Sequence, residues 1–584
     1  MRSFFKVFFA SLLALVVFSL IVFFLLAAVI GGLTSESKPV VADGSVLLLD
    51  LSQSFREQAR ENPLSAFSSD DDLDVPGLYD VLRLIKKAKE DKSIRGIFIK
   101  ANNNANGFAG SEEIREALAD FRESRKFVVA YGDRMTQRAY HVACVADDIF
   151  VHPQGDFQWS GFSVEYAFFK GTLDKLNIQA QVFYAGRFKS ATEPFRLEKM
   201  SEENRLQTLT WLEELNGLFL SRVADARNLD TTQLRQWADS GLIRYPEDAV
   251  KRKLVDGMMH DDQVRDSVKS RLGLGKYDKL ELVTINKYYK AGGYKTFKGD
   301  RIALIYAEGD IVDGKGNDEN IGGESYQQLI RKARLDKTIK AIVLRVNSGG
   351  GSTMASELIW REVELAKKEK PVIVSFGDVA ASGGYYISCA ADSIFASPMT
   401  LTGSIGVFSI IPGMEGFFKD KLGISFDRVK TSPYADMPSV TRNMNETEKR
   451  LIQSEVEQIY RHFKERVADG RKKDTAFVET IAQGRVWSGG TAKSVGLVDR
   501  FGGIQDAVDA AARMAKLKEY RVKEYPEPSS WLNRMLGAAP QTGMEEKMKE
   551  ELGTTNWQLF VEWRRVNELT NTPQARIPFQ FRFE

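Results

Sequence analysis

Polar and apolar positions along the chain fall into two regimes. From Val7 to Leu33 there is a run of 27 residues without a charge. Such a run is long enough to cross a bilayer with some tilt, and longer than the ~7–15 apolar residues of a cleavable signal segment. It predicts an uncleaved transmembrane helix, an anchor within residues 1–34. Arg2 and Lys6 precede the run, so the positive-inside tendency leaves the N-terminal end in the cytoplasm and sends residues 35–584 to the far side. Beyond the run, short β-rich stretches alternate with segments of helical periodicity. In the second half the stretches are Ile302–Tyr306, Ala341–Val346, Val372–Phe376 and Ser393–Ala396, and the helical patterns are Tyr326–Leu335 and Ser356–Lys368. This alternation predicts an α/β fold with mainly parallel strands. Glu446–Arg471 and Ile504–Lys516 read as further helices, and Glu545–Leu552 as a short charged one. Trp531, Trp557 and Trp563 read as a surface or subunit contact.

The pattern repeats. DKSIRGIFIKAN (Asp91–Asn102) matches DKTIKAIVLRVN (Asp336–Asn347) at an offset of 245 positions, and the register holds through Gly132/Gly377, Asp133/Asp378, Cys144/Cys389, Asp147/Asp392 and Pro153/Pro398. RVADAR at Arg222 matches RVADGR at Arg466 at 244, and LVD at Leu254 matches LVD at Leu497 at 243. A period of this length is a duplicated domain, each copy with its own core, and not the ~20–50-residue unit of a solenoid. The expected division is an anchor over 1–34, a first copy over 45–295, a second over 296–520 and a C-terminal extension over 521–584.

Composition narrows the function. The chain of 584 residues carries 81 Lys and Arg against 79 Asp and Glu, with no basic block interleaved with aromatics, which argues against nucleic acid as a partner. Cys144 and Cys389 make no disulfide framework, and the four histidines (His141, His152, His260, His462) form no ligand-spaced pair, so no metal or other cofactor is expected. No GxxxxGK[ST] loop is present, which argues against ATP-driven work.

The candidate chemistry sits in GDVAASGGYY (Gly377–Tyr386), read as a strand running into a helix with Ser382 at the turn. A serine there has neighbouring helix N–H groups free to bind an oxyanion. The same composition also suits an ordinary tight turn. The duplication supplies an internal comparison. Ser382, Gly383 and Gly384 correspond to Gln137, Arg138 and Ala139, and the glycine run NSGGG (Asn347–Gly351) corresponds to Asn102–Asn106. Downstream, Asp174–Phe195 aligns with Asp420–Val440 at an offset of 246, which puts Lys189 on Ala435. The first copy has a lysine and no serine; the second has the serine and no lysine. Complementary losses point to one composite site, against the plainer reading of a surface lysine and sequence drift.

Residues from about 45 to 515 resemble the long, tandem form of the bacterial signal peptide peptidases, the protease IV type of membrane-anchored Ser/Lys protease. The resemblance rests on SGGYY, the NSxGG-type loop, TGSIGV (Thr402–Val407), FKSATEPF and the duplicated layout behind one anchor. It implies two tandem crotonase/Clp-protease-like domains, and an ATP-independent serine endopeptidase with Ser382 as nucleophile and Lys189 as general base. It further implies Ser404 orienting the lysine, and Gly383 with Gly349 or Gly350 donating to the oxyanion. The implied setting is a homo-oligomer, a tetrameric bowl, on the outer face of the cytoplasmic membrane, degrading cleaved signal peptides and other apolar peptides. One departure is visible: Gly349 stands where the resembling loop has proline. A lysine base must be neutral, and full burial can lower its ordinary value of about 10.4 by as much as about 3–5 pH units. Two alternatives are a crotonase-type acyl-CoA enzyme, which needs neither Lys189 nor an anchor, and a catalytically silent membrane scaffold, in which Lys189 is exposed and protonated.

Overall fold

The computed structural model describes residues 13–19, 21, 39–59, 74–527 and 573–577. Most of the apolar run Val7–Leu33, the three C-terminal tryptophans and Glu545–Leu552 lie outside the described residues. Among the described residues no helix is long and apolar enough to cross a membrane.

In the first half the strands are β1 (Ser45–Asp50), β2 (Ile94–Lys100), β3 (Phe127–Met135), β4 (Asp148–Phe157), β5 (Gln179–Ala185), β6 (Gly257–Met258) and β7 (Leu282–Thr284). The second half contributes β8 (Asp300–Glu308), β9 (Asp310–Val312), β10 (Asn320–Gly322), β11 (Ile339–Ser348), β12 (Gly350–Ser352), β13 (Val372–Ala381), β14 (Ser393–Ala396), β15 (Leu401–Gly403), β16 (Val407–Gly413), β17 (Val486–Ser488), β18 (Arg500–Phe501) and β19 (Tyr520–Tyr525); β20 (Gln574–Arg576) follows near the C-terminus. The first sheet runs β6-β4-β3-β2-β1-β7, and the second runs β18-β14-β13-β11-β8-β19 with β15 and β17 appended. Position for position the two orders are the same, and along these paths every pairing is parallel.

The central strands read as unbroken apolar runs because both faces of the sheet are covered. In β8, Ala303, Ile305 and Ala307 face a core shared with the helix Thr353–Lys367, while Ile302, Leu304 and Tyr306 face the helix Ile504–Met514. Tyr79, from the first-half helix Leu78–Glu90, belongs to that second core, so the halves share packing. The duplication extends to single hydrogen bonds. Asp147 accepts from Val128 N at 2.8 Å as Asp392 does from Val372 N at 2.9 Å, and the Tyr140 hydroxyl reaches Leu254 O as that of Tyr385 reaches Leu497 O.

The third sheet has no such symmetry. Its order is β10-β9-β12-β20-β16-β5, and β5 of the first half pairs antiparallel with β16 of the second over seven positions, from Val407/Ala185 to Gly413/Gln179. Each copy supplies the strand the other lacks: 425–431, aligned with β5, and 162–168, aligned with β16, are not strands.

A charged cluster joins the halves deeper in. Arg345 of β11 is fully buried and donates to Glu57 at 2.7 Å and to Glu113 at 2.6 Å, both from the first half. Asp378 accepts from the Ala109 and Gly110 amides, at 2.8 and 3.2 Å, at the N-terminus of the helix Phe108–Arg122. A carboxylate there satisfies helix donors and opposes the helix dipole.

Candidate active site

Ser382 is placed by strand pairing. The sequence pattern predicts a strand ending at Phe376, but β13 continues to Ala381 because Val379, Ala380 and Ala381 pair with Leu401, Thr402 and Gly403 of β15. The chain then breaks direction at Ser382, whose φ of 54° and ψ of −113° lie outside the regions ordinary residues occupy. Its N–H donates to Gly403 O at 2.8 Å and its carbonyl accepts from Tyr386 N at 2.8 Å, which fixes the turn into the short helix Gly383–Tyr386. The glycines after it are needed for close approach: a Cβ on Gly384 would lie 2.6 Å from Ser348 O, and one on Gly383 would lie 2.8 Å from Ser356 Oγ.

Lys189 arrives from the other half. It follows β5 by four residues, and Ser404 precedes β16 by three; antiparallel pairing of those strands brings both to the same end. Lys189 Nζ stands 2.7 Å from Ser382 Oγ and 3.1 Å from both Ser404 Oγ and Ser404 O. Ser382 is 0% exposed and Lys189 and Ser404 are 1% exposed. Burial alone holds the Lys189 amine well below the ordinary lysine value. A neutral amine has two N–H donors and one lone pair. In that form the two Ser404 oxygens would match the donors, and the lone pair would be left for the Ser382 hydroxyl.

The lysine loop is held by contacts that sequence patterns do not reveal. Phe188 N donates to Gln483 O at 2.7 Å, and Gln207 Nε2 donates to Phe188 O at 3.2 Å and Ser190 Oγ at 3.0 Å. Gln207 Oε1 in turn accepts from Val486 N at 3.1 Å, tying the loop to the second half. Gly484, with φ of +74°, packs so closely that a Cβ on it would lie 2.7 Å from Lys189 Cβ and from Lys189 N. A glycine at a loop-to-strand junction is common, and nothing in its neighbours marked this one.

Of the candidate oxyanion donors, Gly383 begins the helix behind Ser382, and Gly350 abuts it: a Cβ on Gly350 would lie 2.7 Å from Gly383 N. Gly350 N donates to Ser348 Oγ at 3.2 Å. Gly349 lies farther along, its carbonyl accepting from Ile577 N at 2.9 Å. That contact comes from the C-terminal segment 573–577, which the sequence reading assigned no place.

The corresponding crevice of the first half is filled. Gln137, at the position of Ser382, accepts from Gly161 N at 2.9 Å and donates to Gly161 O at 3.3 Å. Arg138, at the position of Gly383, reaches Asn106 O at 2.6 Å. Cys144 and Cys389 are both buried, and burial raises both thiols, leaving them packing groups.

Comparison with known proteins follows the same division. The profile of Peptidase family S49 matches the chain twice, over residues 120–275 and 364–518. Protease 4 of Salmonella typhi is 37% identical over 504 residues, covering 83% of this chain and 79% of its own. Protease 4 of Haemophilus influenzae is 33% identical over 499 residues, covering 81% and 80%. The chloroplastic Serine protease SPPA of Arabidopsis thaliana is 32% identical over 509 residues, covering 85% and 73%. The chain belongs to peptidase family S49 and is a long, tandem serine protease of that family.

Proposed function

We propose that the chain is an ATP-independent serine endopeptidase working through a Ser382–Lys189 dyad. The observation that carries this reading is the 2.7 Å approach of a buried lysine amine to a buried serine hydroxyl. In the mechanism, neutral Lys189 takes the Ser382 proton as Oγ attacks the peptide carbonyl, and returns it to the departing amine. Water then enters, Lys189 takes its proton, and the ester between Ser382 and the acyl fragment is hydrolysed. Gly383 N–H, with the N–H of Gly349 or Gly350, stabilises the tetrahedral oxyanion; losing one such donor costs about 3 kcal/mol. Ser404 is a positioning residue that holds the lysine amine by both its oxygens.

The burial of Lys189 weighs against a silent scaffold, in which the residue would be exposed. Its contact with Ser382 would be without purpose in an acyl-CoA enzyme. The apolar run Val7–Leu33 and the family resemblance support a single-pass protein with the peptidase domains, 45–295 and 296–520, outside the cytoplasmic membrane, assembled as a homo-oligomer, with a crotonase/Clp-protease-like fold. Extended apolar peptides such as cleaved signal peptides fit that setting. The test is hydrolysis of a fluorogenic peptide in detergent by the parent chain, Ser382→Ala and Lys189→Ala. Both substitutions abolish turnover on this account, and full activity in either would refute the dyad.

A further inference from the structure

The two halves enclose a cavity at the end of the sheets away from Ser382. It measures about 580 Å³ and lies between the first-half helix Leu78–Glu90, the connection between the copies and the start of β19. Glu90 precedes β2, Lys298 precedes β8, and Lys518 and Glu519 precede β19, so the cavity sits at strand starts. Gly349 and Ser382 instead follow the ends of β11 and β13, which run parallel to β8. The chain comes in from the apolar run at the cavity's end: Ser45 N, opening β1, donates to Ser93 O at 2.9 Å in the link between the helix Leu78–Glu90 and β2. Leu33, the last residue of that run, stands six positions before Pro39, a span of at most about 22 Å.

The lining is basic. Arg83 pairs with Asp80 and, at 2.6 Å, with Glu524, and Lys295 lies 3.6 and 3.5 Å from the same two carboxylates. With those four charges set aside, five cations line the cavity against two carboxylates, Glu90 and Glu519. Lys87 and Arg521 donate to neutral main-chain oxygens, Gly292 O at 2.7 Å and Phe297 O at 3.1 Å. Lys86, Lys298 and Lys518 are exposed and have no ion-pair partner among the described residues. In the second copy Arg331 stands at the position of Lys86 and donates to Glu362 at 2.8 Å, so the excess of charge is not a feature of the duplicated fold. Tyr79, Tyr294 and Tyr520 add aromatic wall.

We propose that this cavity binds a phosphate ester, the phosphate held by Lys86, Lys298 and Lys518 and the organic part lying against the tyrosines. Lysine ammonium groups are point charges suited to phosphate, and a cleft lined by one sign of charge concentrates the opposite ion. The volume falls within the ~300–1,000 Å³ of pockets for organic ligands, more than a bare phosphate fills. Two sources share this chemistry: the headgroup of an anionic phospholipid and a soluble phosphate ester. The lipid source rests on the reading of Val7–Leu33 as a membrane anchor; the phosphate site does not. Either ligand touches Lys86 of the first half and Lys518 of the second, and so ties the halves together from the end opposite the dyad.

The test is isothermal titration calorimetry on the full chain in a neutral detergent. The probes are dihexanoylphosphatidylglycerol and glycerol phosphate, with dihexanoylphosphatidylcholine as the zwitterionic control. At least one of the two anions binds, and Lys86→Gln, Lys298→Gln and Lys518→Gln combined weaken it about tenfold or more. Lys337→Gln, Lys340→Gln and Lys368→Gln combined, at exposed positions near the starts of β11 and β13 but outside the cavity, leave the affinity unchanged. Tighter binding of dihexanoylphosphatidylglycerol than of glycerol phosphate assigns the lipid source, and equal or weaker binding assigns the soluble one. Parental kcat/KM for a soluble fluorogenic peptide in the first triple variant shows that its fold is intact. No binding of either anion, equally tight binding of dihexanoylphosphatidylcholine, or anion binding that survives the first triple substitution would overturn the inference. The titration reads neither Ser382 nor the anchor. Failure of the dyad therefore shows separately, as hydrolysis surviving Ser382→Ala, and failure of the anchor reading as a chain that stays soluble without detergent.

Discussion

Lys189 Nζ and Ser382 Oγ stand 2.7 Å apart although 193 positions separate the two residues in the chain. The pairing of β5 with β16 makes this possible within one molecule, since it sets the end of the first copy's strand beside the start of the second copy's. Chains carrying Ser382→Ala mixed and co-assembled with chains carrying Lys189→Ala are therefore expected to show no more peptide hydrolysis than either alone. Recovery of a substantial fraction of parental activity would place the working pair across subunits.

Gly484 gives a way to move the lysine without replacing it. A Cβ there falls 2.7 Å from Lys189 Cβ and N, on a backbone with φ of +74° that disfavours side chains, so Gly484→Ala must push the lysine loop away from Ser382. A displacement on the order of 1 Å at a catalytic group costs about 10²-fold in rate. Steady-state kinetics should show that loss in kcat, with KM little changed.

Arg345 joins the halves that carry Lys189 and Ser382. Its guanidinium also donates to Ser375 Oγ at 2.8 Å and Phe376 O at 2.9 Å, just ahead of the segment leading to Ser382. Arg345→Ala leaves Glu57 and Glu113 buried without their partner, a loss of about 3–5 kcal/mol for a broken buried pair. Calorimetry should report a lowered Tm together with reduced peptidase activity, although Arg345 lies outside the dyad.

The burial that holds Lys189 well below the ordinary lysine value also costs stability, with a definite sign. Below the ordinary value of 10.5 the unfolded chain binds a proton on Lys189, while the folded chain does so only at a much lower pH. Between those two values stability contributed at this site rises with pH. Lys189→Met removes the dependence. It should be more stable than the parent in denaturant titrations near neutral pH, by a margin that closes as pH approaches 10.5.

The sequence carried the halves of the site more readily than their joining. Duplication exposed Ser382 and Lys189 as complementary losses, and apolar runs located β8, β11, β13 and β14, because buried parallel strands leave unbroken hydrophobic stretches. The extension of β13 to Ala381 leaves no such signal, since Gly377 and Asp378 resemble a turn and the residues after them are kept extended by pairing of Val379–Ala381 with β15 and of Ala380 with Ser348 of β11. Gly484 and Gln207 act through contacts with residues nearly 300 positions away, for which local periodicity holds no record. The segment 573–577 was illegible for a related reason: a strand bound by backbone pairing needs little from its own side chains beyond a small residue at Ala575 and an apolar one at Ile577.

The pH dependence of kcat/KM for a neutral fluorogenic peptide tests the central claim most directly, because it reads the ionisation of the base in the free enzyme. With Lys189 as the neutral base, activity falls on the acid side through a limb well below 10.5, and the Lys189→Ala chain is inactive across the range. A limb at the ordinary lysine value, or the same limb persisting in active Lys189→Ala enzyme, would contradict the account.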